Sequence, residues 1–206
     1  MTNIKAIFFD LGKVVVQYDV KTLVKGYSKY AKMPGEEELG EYMMKSYQGM
    51  AYMTGRMTSS VFYTRTKKYF KMRVGYNNFY EVWNSMFFHD PEMEKYMRDI
   101  KAKYPELVFI LVSDTNPGHF EFIQKEYPIL ELMDHFVLSY EIGELKPDPK
   151  MYTTALRLAK VLPKEAVYFD DRADLIKSAR SMGIRAFQFT TCESARTALV
   201  KLGIEV

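Results

Sequence analysis

Four stretches of the chain are short, continuously apolar and rich in β-branched or aromatic residues: Ile4–Phe9, Leu107–Val112, Ala166–Phe169 and Ala186–Phe189. Runs of this length, without alternation and bounded by turn residues, predict strands buried on both faces, as in a parallel sheet. Phe136–Ser139 is a candidate fifth strand. Between these runs, apolar residues recur at helical spacing over Pro117–Tyr127, Asp148–Lys160 and Leu175–Met182. Strands alternating with helices predict an α/β fold, a Rossmann-like doubly wound parallel sheet.

From about Asp19 to Phe88 the pattern changes. Leu23, Tyr27, Tyr30 and Ala31, then Val61, Phe62, Thr66 and Tyr69, fall at helical spacing, and no strand pattern alternates with them. Pro34-Gly35 and Thr54-Gly55 mark breaks between helices. We therefore expect an α/β core of residues 1–16 plus 89–206, interrupted by a helical cap of residues 17–88. Within it Tyr47, Met50, Tyr52 and Arg56 surround a Gly49…Gly55 segment, which we expect to be a loop reaching the site.

Composition adds bounds. The 206 residues, 48% hydrophobic and 27% charged, are enough for one core with an insert. A net charge of +3 is too weak to single out nucleic acid and suits an anionic small molecule. The basic, aromatic run of Arg56, Arg65, Lys67, Lys68, Lys71 and Arg73 reads as the solvated face of an amphipathic helix. One cysteine, Cys192, rules out an intramolecular disulfide and agrees with a reducing compartment. No run of 18 apolar residues exists, and no basic segment precedes an apolar one at the N-terminus. We expect a cytoplasmic protein with no membrane or nucleic-acid partner. Nothing in the sequence sets an oligomeric state.

The strands end in polar residues, and in open α/β sheets ligands bind beyond the carboxyl ends of the strands. The first strand delivers Asp10. The second delivers Ser113-Asp114-Thr115-Asn116, and the third Asp170-Asp171, with Asp174 shortly after. Between these comes Glu144-Leu145-Lys146-Pro147-Asp148-Pro149, with Lys146 just before a proline expected to open a helix. Converging Asp10 and Asp170 would repel unless a cation lay between them, and hard oxygen ligands point to Mg²⁺. Ser113 and backbone N–H groups can hold phosphate oxygens, while Lys146 offsets the carboxylates and the developing phosphoryl charge. Taken singly, Asp10 reads as well as a turn residue, Ser113 as a helix N-cap, Asp170-Asp171 as a cap and Lys146 as a solvated lysine. Jointly they describe phosphoryl transfer through an aspartyl-phosphate.

These segments resemble the four motifs of the haloacid dehalogenase-like hydrolase superfamily. Phe-Phe-Asp10-Leu-Gly-Lys-Val is similar to the first, Leu-Val-Ser113-Asp-Thr-Asn to the second, Glu-Leu-Lys146-Pro-Asp-Pro to the third and Tyr-Phe-Asp170-Asp171-Arg-Ala-Asp174 to the fourth. The helical insert matches a type-I cap, as in subfamily IA. The sugar-phosphatase branch of the alpha-D-glucose-1-phosphate phosphatases and the phosphatase domain of epoxide hydrolases are the nearest resemblances. The resemblance implies Asp10 as nucleophile and Mg²⁺ ligand, with the backbone carbonyl of Gly12 as a second ligand. It implies phosphate binding by Ser113, the amide of Asp114 and Lys146, with Asn116 beside them. It implies Asp170 as a direct Mg²⁺ ligand, Asp171 as an indirect one, and Asp174 as support for the loop. The substrate would be a small phosphorylated metabolite, with sugar phosphates favoured.

One departure stands out. Most phosphatases of the superfamily carry a second aspartate two residues after the nucleophile, to protonate the leaving oxygen; here it is Gly12. The sugar-phosphatase branch also has glycine there. Such acid–base help is worth roughly 10²- to 10⁴-fold, so we expect a bias towards leaving groups of low pKa. His119 is a candidate substitute base and Lys13 a candidate substrate contact. Rival readings are hydrolysis of a carbon–halogen or phosphonate bond, and a non-catalytic module that binds a phosphorylated ligand. Dehalogenases in this superfamily need no Mg²⁺, so Asp170-Asp171 speaks against that rival.

Overall fold

The structure, a computed structural model, describes residues 3–206; Met1 and Thr2, counted with the expected core, lie outside it. The chain begins with β1 (Ala6–Phe9) and β2 (Gln17–Tyr18). The helices α1 (Val20–Tyr27), α2 (Glu36–Lys45), α3 (Tyr47–Met53), α4 (Ser59–Tyr69) and α5 (Tyr76–Asn84) follow, then β3 (Phe87–Phe88). The remainder is α6 (Pro91–Lys103), β4 (Val108–Ser113), α7 (Pro117–Glu126), β5 (His135–Leu138), α8 (Ser139–Ile142) and α9 (Pro149–Ala159). It closes with β6 (Ala166–Asp170), α10 (Ala173–Ser181), β7 (Arg185–Gln188) and α11 (Cys192–Val200).

Five strands form one parallel sheet in the order β5-β4-β1-β6-β7, the doubly wound arrangement expected. Successive residues of a strand point to opposite faces. Ile7, Phe9, Phe109, Leu111, Val167 and Phe169 enter one apolar layer; Ala6, Phe8, Ile110, Val112, Ala166 and Tyr168 enter the other. Both faces are covered by helices, which is why these strands read as unbroken apolar runs. The strand order reverses beside β1, and Phe9 lies level with Leu111 on one side and Phe169 on the other. That register sets Asp10, Ser113 and Asp170 at one end of the sheet.

Helices α1–α5 build a separate apolar cluster around Leu23, Tyr27, Phe62, Phe79, Trp83 and Met86. The aromatic residues of the basic run belong to this cluster or pack on it: Tyr63 meets Phe79 and Tyr76, and its hydroxyl donates to Val74 O at 2.9 Å. Two readings need correction. The insert is framed by a two-stranded antiparallel ribbon, with Gln17 opposite Phe88 and Tyr18 opposite Phe87; two-residue strands are too short to leave a periodic signal. Gly49 to Met53 is helix rather than loop, and Tyr47, Met50 and Arg56 stay exposed. The turn comes at Gly55, whose φ of +69° and whose fit against the Tyr140 carbonyl, 2.1 Å from where a Cβ would stand, leave room for glycine alone.

Candidate active site

Asp10 follows the last residue of β1, and its amide donates to Phe169 O at 2.9 Å, which pins it to the neighbouring strand. Its carboxylate accepts from Lys146 Nζ at 2.5 Å through Oδ1. The same ammonium donates to Asp170 Oδ2 at 2.8 Å and reaches the Tyr168 hydroxyl at 3.2 Å. Lys146 is 6% exposed and Asp170 fully buried, so both charges depend on each other. Tyr168 Oη also donates to Asp170 Oδ2, and Asp170 Oδ1 accepts from the amide of Arg172 at 2.9 Å. Lys146 is carried by the loop before α9, not at a helix start: Pro149, rather than Pro147, opens the helix, behind an Asp148 cap. Asp114 holds this loop in place by accepting from Lys146 N at 2.9 Å.

Asp10, Asp170 and Asp171 each place a carboxylate oxygen within 4.8 Å of the others. Burial pushes Asp10 up to about 7; Lys146 opposes the rise while Asp170 and Asp114 add to it. Burial would lower Lys146, but Asp10, Tyr168, Asp170 and Asp114 hold it well above its usual value, so it stays an ammonium. Asp171 is raised by burial and by Asp170. Four carboxylates therefore face one buried cation, a deficit of positive charge that a divalent ion at Asp10, Asp170 and Asp171 would correct. The donor set, all hard oxygen, fits Mg²⁺.

These groups open on a cavity of about 410 Å³ between the sheet and helices α2, α3 and α5. Asp10, Gly12, Ser113, Asp114, Lys146 and Asp171 line its floor. The Ser113 side chain is 2% exposed and takes no hydrogen-bond partner among the described residues, which leaves its hydroxyl available to a ligand. The helix cap that Ser113 could have been is Asn116: its Oδ1 accepts from His119 N at 3.0 Å. Asn116 thus lies beside the site with its side chain committed to α7. Asp174 is exposed and grips the guanidinium of Arg172, a residue of the loop after β6, at 2.7 Å.

His119 lines the cavity but is poorly suited to replace the missing acid–base group. Its ring stacks on Trp83 at 4.8 Å, its Nδ1 faces Asn116 Nδ2 at 3.1 Å and its Nε2 faces Trp83 O at 3.3 Å. Burial drops it to about 3. Lys13 stays exposed, over the ring of Tyr18. Gly12 has a packing reason of its own: a Cβ there would stand 2.9 Å from Tyr18 Cε1. The ring of Tyr18 fills the space that a side chain at position 12 would need. Tyr168 and Tyr18 were missed by sequence reading. Tyr168 had a signal, since residues two apart on a strand share a face and Tyr168 precedes Asp170 by two; Tyr18 had none.

Residues 4–183 match the family described as haloacid dehalogenase-like hydrolase. The D-ribitol-5-phosphate phosphatase of Bacteroides thetaiotaomicron is 24% identical over 194 residues, 90% of this chain and 91% of its own. A haloacid dehalogenase family enzyme from the same organism, solved with magnesium and inorganic phosphate, has a TM-score of 0.78 at 23% identity, covering 92% of this chain and 96% of that one. A predicted hydrolase of this type from Porphyromonas gingivalis has a TM-score of 0.79 at 20% identity, covering 98% and 99%.

Proposed function

We propose, on the premise that the chain belongs to the haloacid dehalogenase-like hydrolase family, that it is a Mg²⁺-dependent phosphatase of small phosphorylated metabolites acting through an aspartyl-phosphate on Asp10. The observation that carries this reading is Lys146 bridging Asp10 and Asp170 at the floor of the cavity. The free Oδ2 of Asp10 attacks phosphorus, an Asp10 Oδ–P bond forms and the bond to the leaving oxygen breaks, that oxygen keeping the bonding pair and taking its proton from water. Lys146 holds Asp10 in position and opposes its protonation, and with the Ser113 hydroxyl and the amide of Asp114 it neutralises the phosphoryl oxygens. Water then attacks phosphorus, releases phosphate and restores the carboxylate. Asp10, Asp170 and Asp171, with the carbonyl of Gly12, would hold the Mg²⁺, which when bound supplies Lewis-acid stabilisation of phosphoryl charge. Release of halide gives no reason for three carboxylates to converge, which favours the phosphatase over the dehalogenase reading.

Since no acid stands at position 12, leaving groups of low pKa are preferred. The name of the Bacteroides relative speaks for a sugar-alcohol phosphate. The test is phosphate release from a panel of monoesters with Mg²⁺ and with chelator, beside Asp10→Asn. Turnover should need the metal and fall roughly 10⁴-fold or more in the variant. Activity untouched by Asp10→Asn would overturn the mechanism.

A further inference from the structure

The cavity has two unlike ends. The floor holds Asp10, Asp114, Lys146 and Asp171, and the uncommitted hydroxyl of Ser113 lies there too. The Tyr18 hydroxyl belongs to this end as well, close enough to Asp171 and Asp10 for their charge to raise it, burial raising it most. The opposite wall, from α2, α3, α4, α5 and the segment after α5, is Met43, Met44, Met53, Phe62, Trp83 and Met86.

Polar atoms near that wall are already spent on the protein. The Tyr52 hydroxyl accepts from Gly118 N at 3.0 Å and from Tyr80 Oη at 3.2 Å, and shares a third hydrogen bond with Ser59 Oγ at 2.9 Å. One donor and two acceptor positions exhaust a hydroxyl. His119 uses both ring nitrogens on Asn116 and Trp83. At the rim Glu41 and Lys45 pair with each other at 2.7 Å and face solvent. Trp83 Nε1 has no partner among the described residues, but it is buried rather than open to the cavity.

We infer that the substrate's organic part is apolar: the site takes monophosphate esters of aromatic or alkyl alcohols in preference to those of polyols. This rests on the phosphatase reading. A polyol seated here would strip its hydroxyls of water and offer them thioether and ring carbon, a loss of roughly tenfold in affinity for each hydroxyl left unpaired. An apolar group instead exchanges water for methionine and aromatic surface. Methionine adapts to many shapes, so the wall selects for apolarity more than for outline. Tyr52, tied to three partners, is held out of this exchange and keeps the wall closed to polar contacts.

The test compares 2-phenylethyl phosphate with D-ribitol 5-phosphate, two primary alkyl esters with similar leaving oxygens, and adds acetyl phosphate, whose two-carbon acyl group offers little apolar surface. With Mg²⁺, kcat/KM for the phenylethyl ester should exceed that for the ribitol ester by about tenfold or more, chiefly through KM. Met43→Gln, half-exposed and tolerant, and Met86→Gln should each lower that ratio severalfold; a ratio cancels any change in folded fraction. Acetyl phosphate turned over while the ribitol ester equals or beats the phenylethyl ester, or a ratio unmoved in both variants, would overturn the inference and leave the phosphatase reading standing. Failure to hydrolyse any of the three overturns both.

Discussion

At the residue scale the site is a problem in charge. Asp10, Asp114, Asp170 and Asp171 gather about Lys146, and removing that cation leaves carboxylates facing one another in a buried setting. Lys146→Met keeps the length and drops the charge. It should cost about 10²-fold or more in kcat, as expected for loss of a stabilising cation at the phosphoryl group. Protons report the same balance. The native carboxyl of Asp10 holds its proton to about 7, well above the usual 3.8, so below that pH Mg²⁺ must displace a proton. Affinity should climb as pH rises through about 7 and level off above it. Calorimetry in buffers of different ionisation heat should find proton release at about pH 6 and almost none at about pH 8.

Position 12 is also a question of space. Gly12→Asp would seem to restore the missing acid, but its Cβ meets the Tyr18 ring at 2.9 Å. We expect destabilisation of about 1–3 kcal/mol, the usual cost of overpacking, with no gain in turnover. Adding Tyr18→Ala should relieve part of that cost, a coupling that a double-mutant cycle in urea would measure. Additive effects would show that Tyr18 does not occupy the space. The sequence displayed Gly12 and implied a deficit; the neighbour that makes glycine fit lies six residues on and becomes visible once the 11–16 turn folds it back, with Val15 N and Val16 N both on Leu11 O.

At the scale of elements, strands were the most legible. Each apolar run became a strand, and each polar cluster at its end faces the same crevice, because burial on both faces leaves a strand few other places to go. The contacts that seat the helical insert were not legible, since they join residues distant in sequence. Ser139 Oγ, fully buried at the start of α8, lies 2.7 Å from Met53 O on α3 and 2.9 Å from Thr115 N on the loop after β4. One hydroxyl thus ties the insert to the loop after β4. Ser139→Ala should cost about 1–3 kcal/mol, as a buried donor and acceptor lose their partner. It should also raise KM more than it lowers kcat, read by denaturation and steady-state kinetics. An unchanged KM would mean that the insert is seated by its apolar contacts alone.

At the scale of the whole molecule, we propose residues 1–16 with 89–206 as the core and 17–88 as the cap. Supporting this are separate apolar clusters and the side-by-side crossing at β2 and β3. Among the described residues no helix is long and apolar enough to cross a membrane. Where cap meets core, His119 is buried as a neutral ring, its value lowered to about 3 by burial against 6.5 when exposed. Between those values the unfolded chain binds the extra proton, so stability falls as pH drops from about 6.5 towards 3. His119→Phe should remove that slope. The stability difference between the natural protein and the variant should shrink by up to about 1.4 kcal/mol per pH unit below about 6. Urea melts at several pH values would show it, and a difference that stays constant would mean that the ring is not held neutral.

The sequence by itself determined the sheet, its order of polar strand ends and the family, since hydrophobic period and local motifs are written in neighbouring residues. It did not determine what surrounds them. That Tyr18 takes the space at Gly12, that His119 is locked in the junction and that methionines and aromatics line the cavity above the carboxylates were decided by tertiary packing. Most such contacts join residues tens of positions apart, and even Tyr18, six residues from Gly12, meets it only once a turn has folded; a one-dimensional pattern carries no record of which side chains will meet once both layers and the insert close.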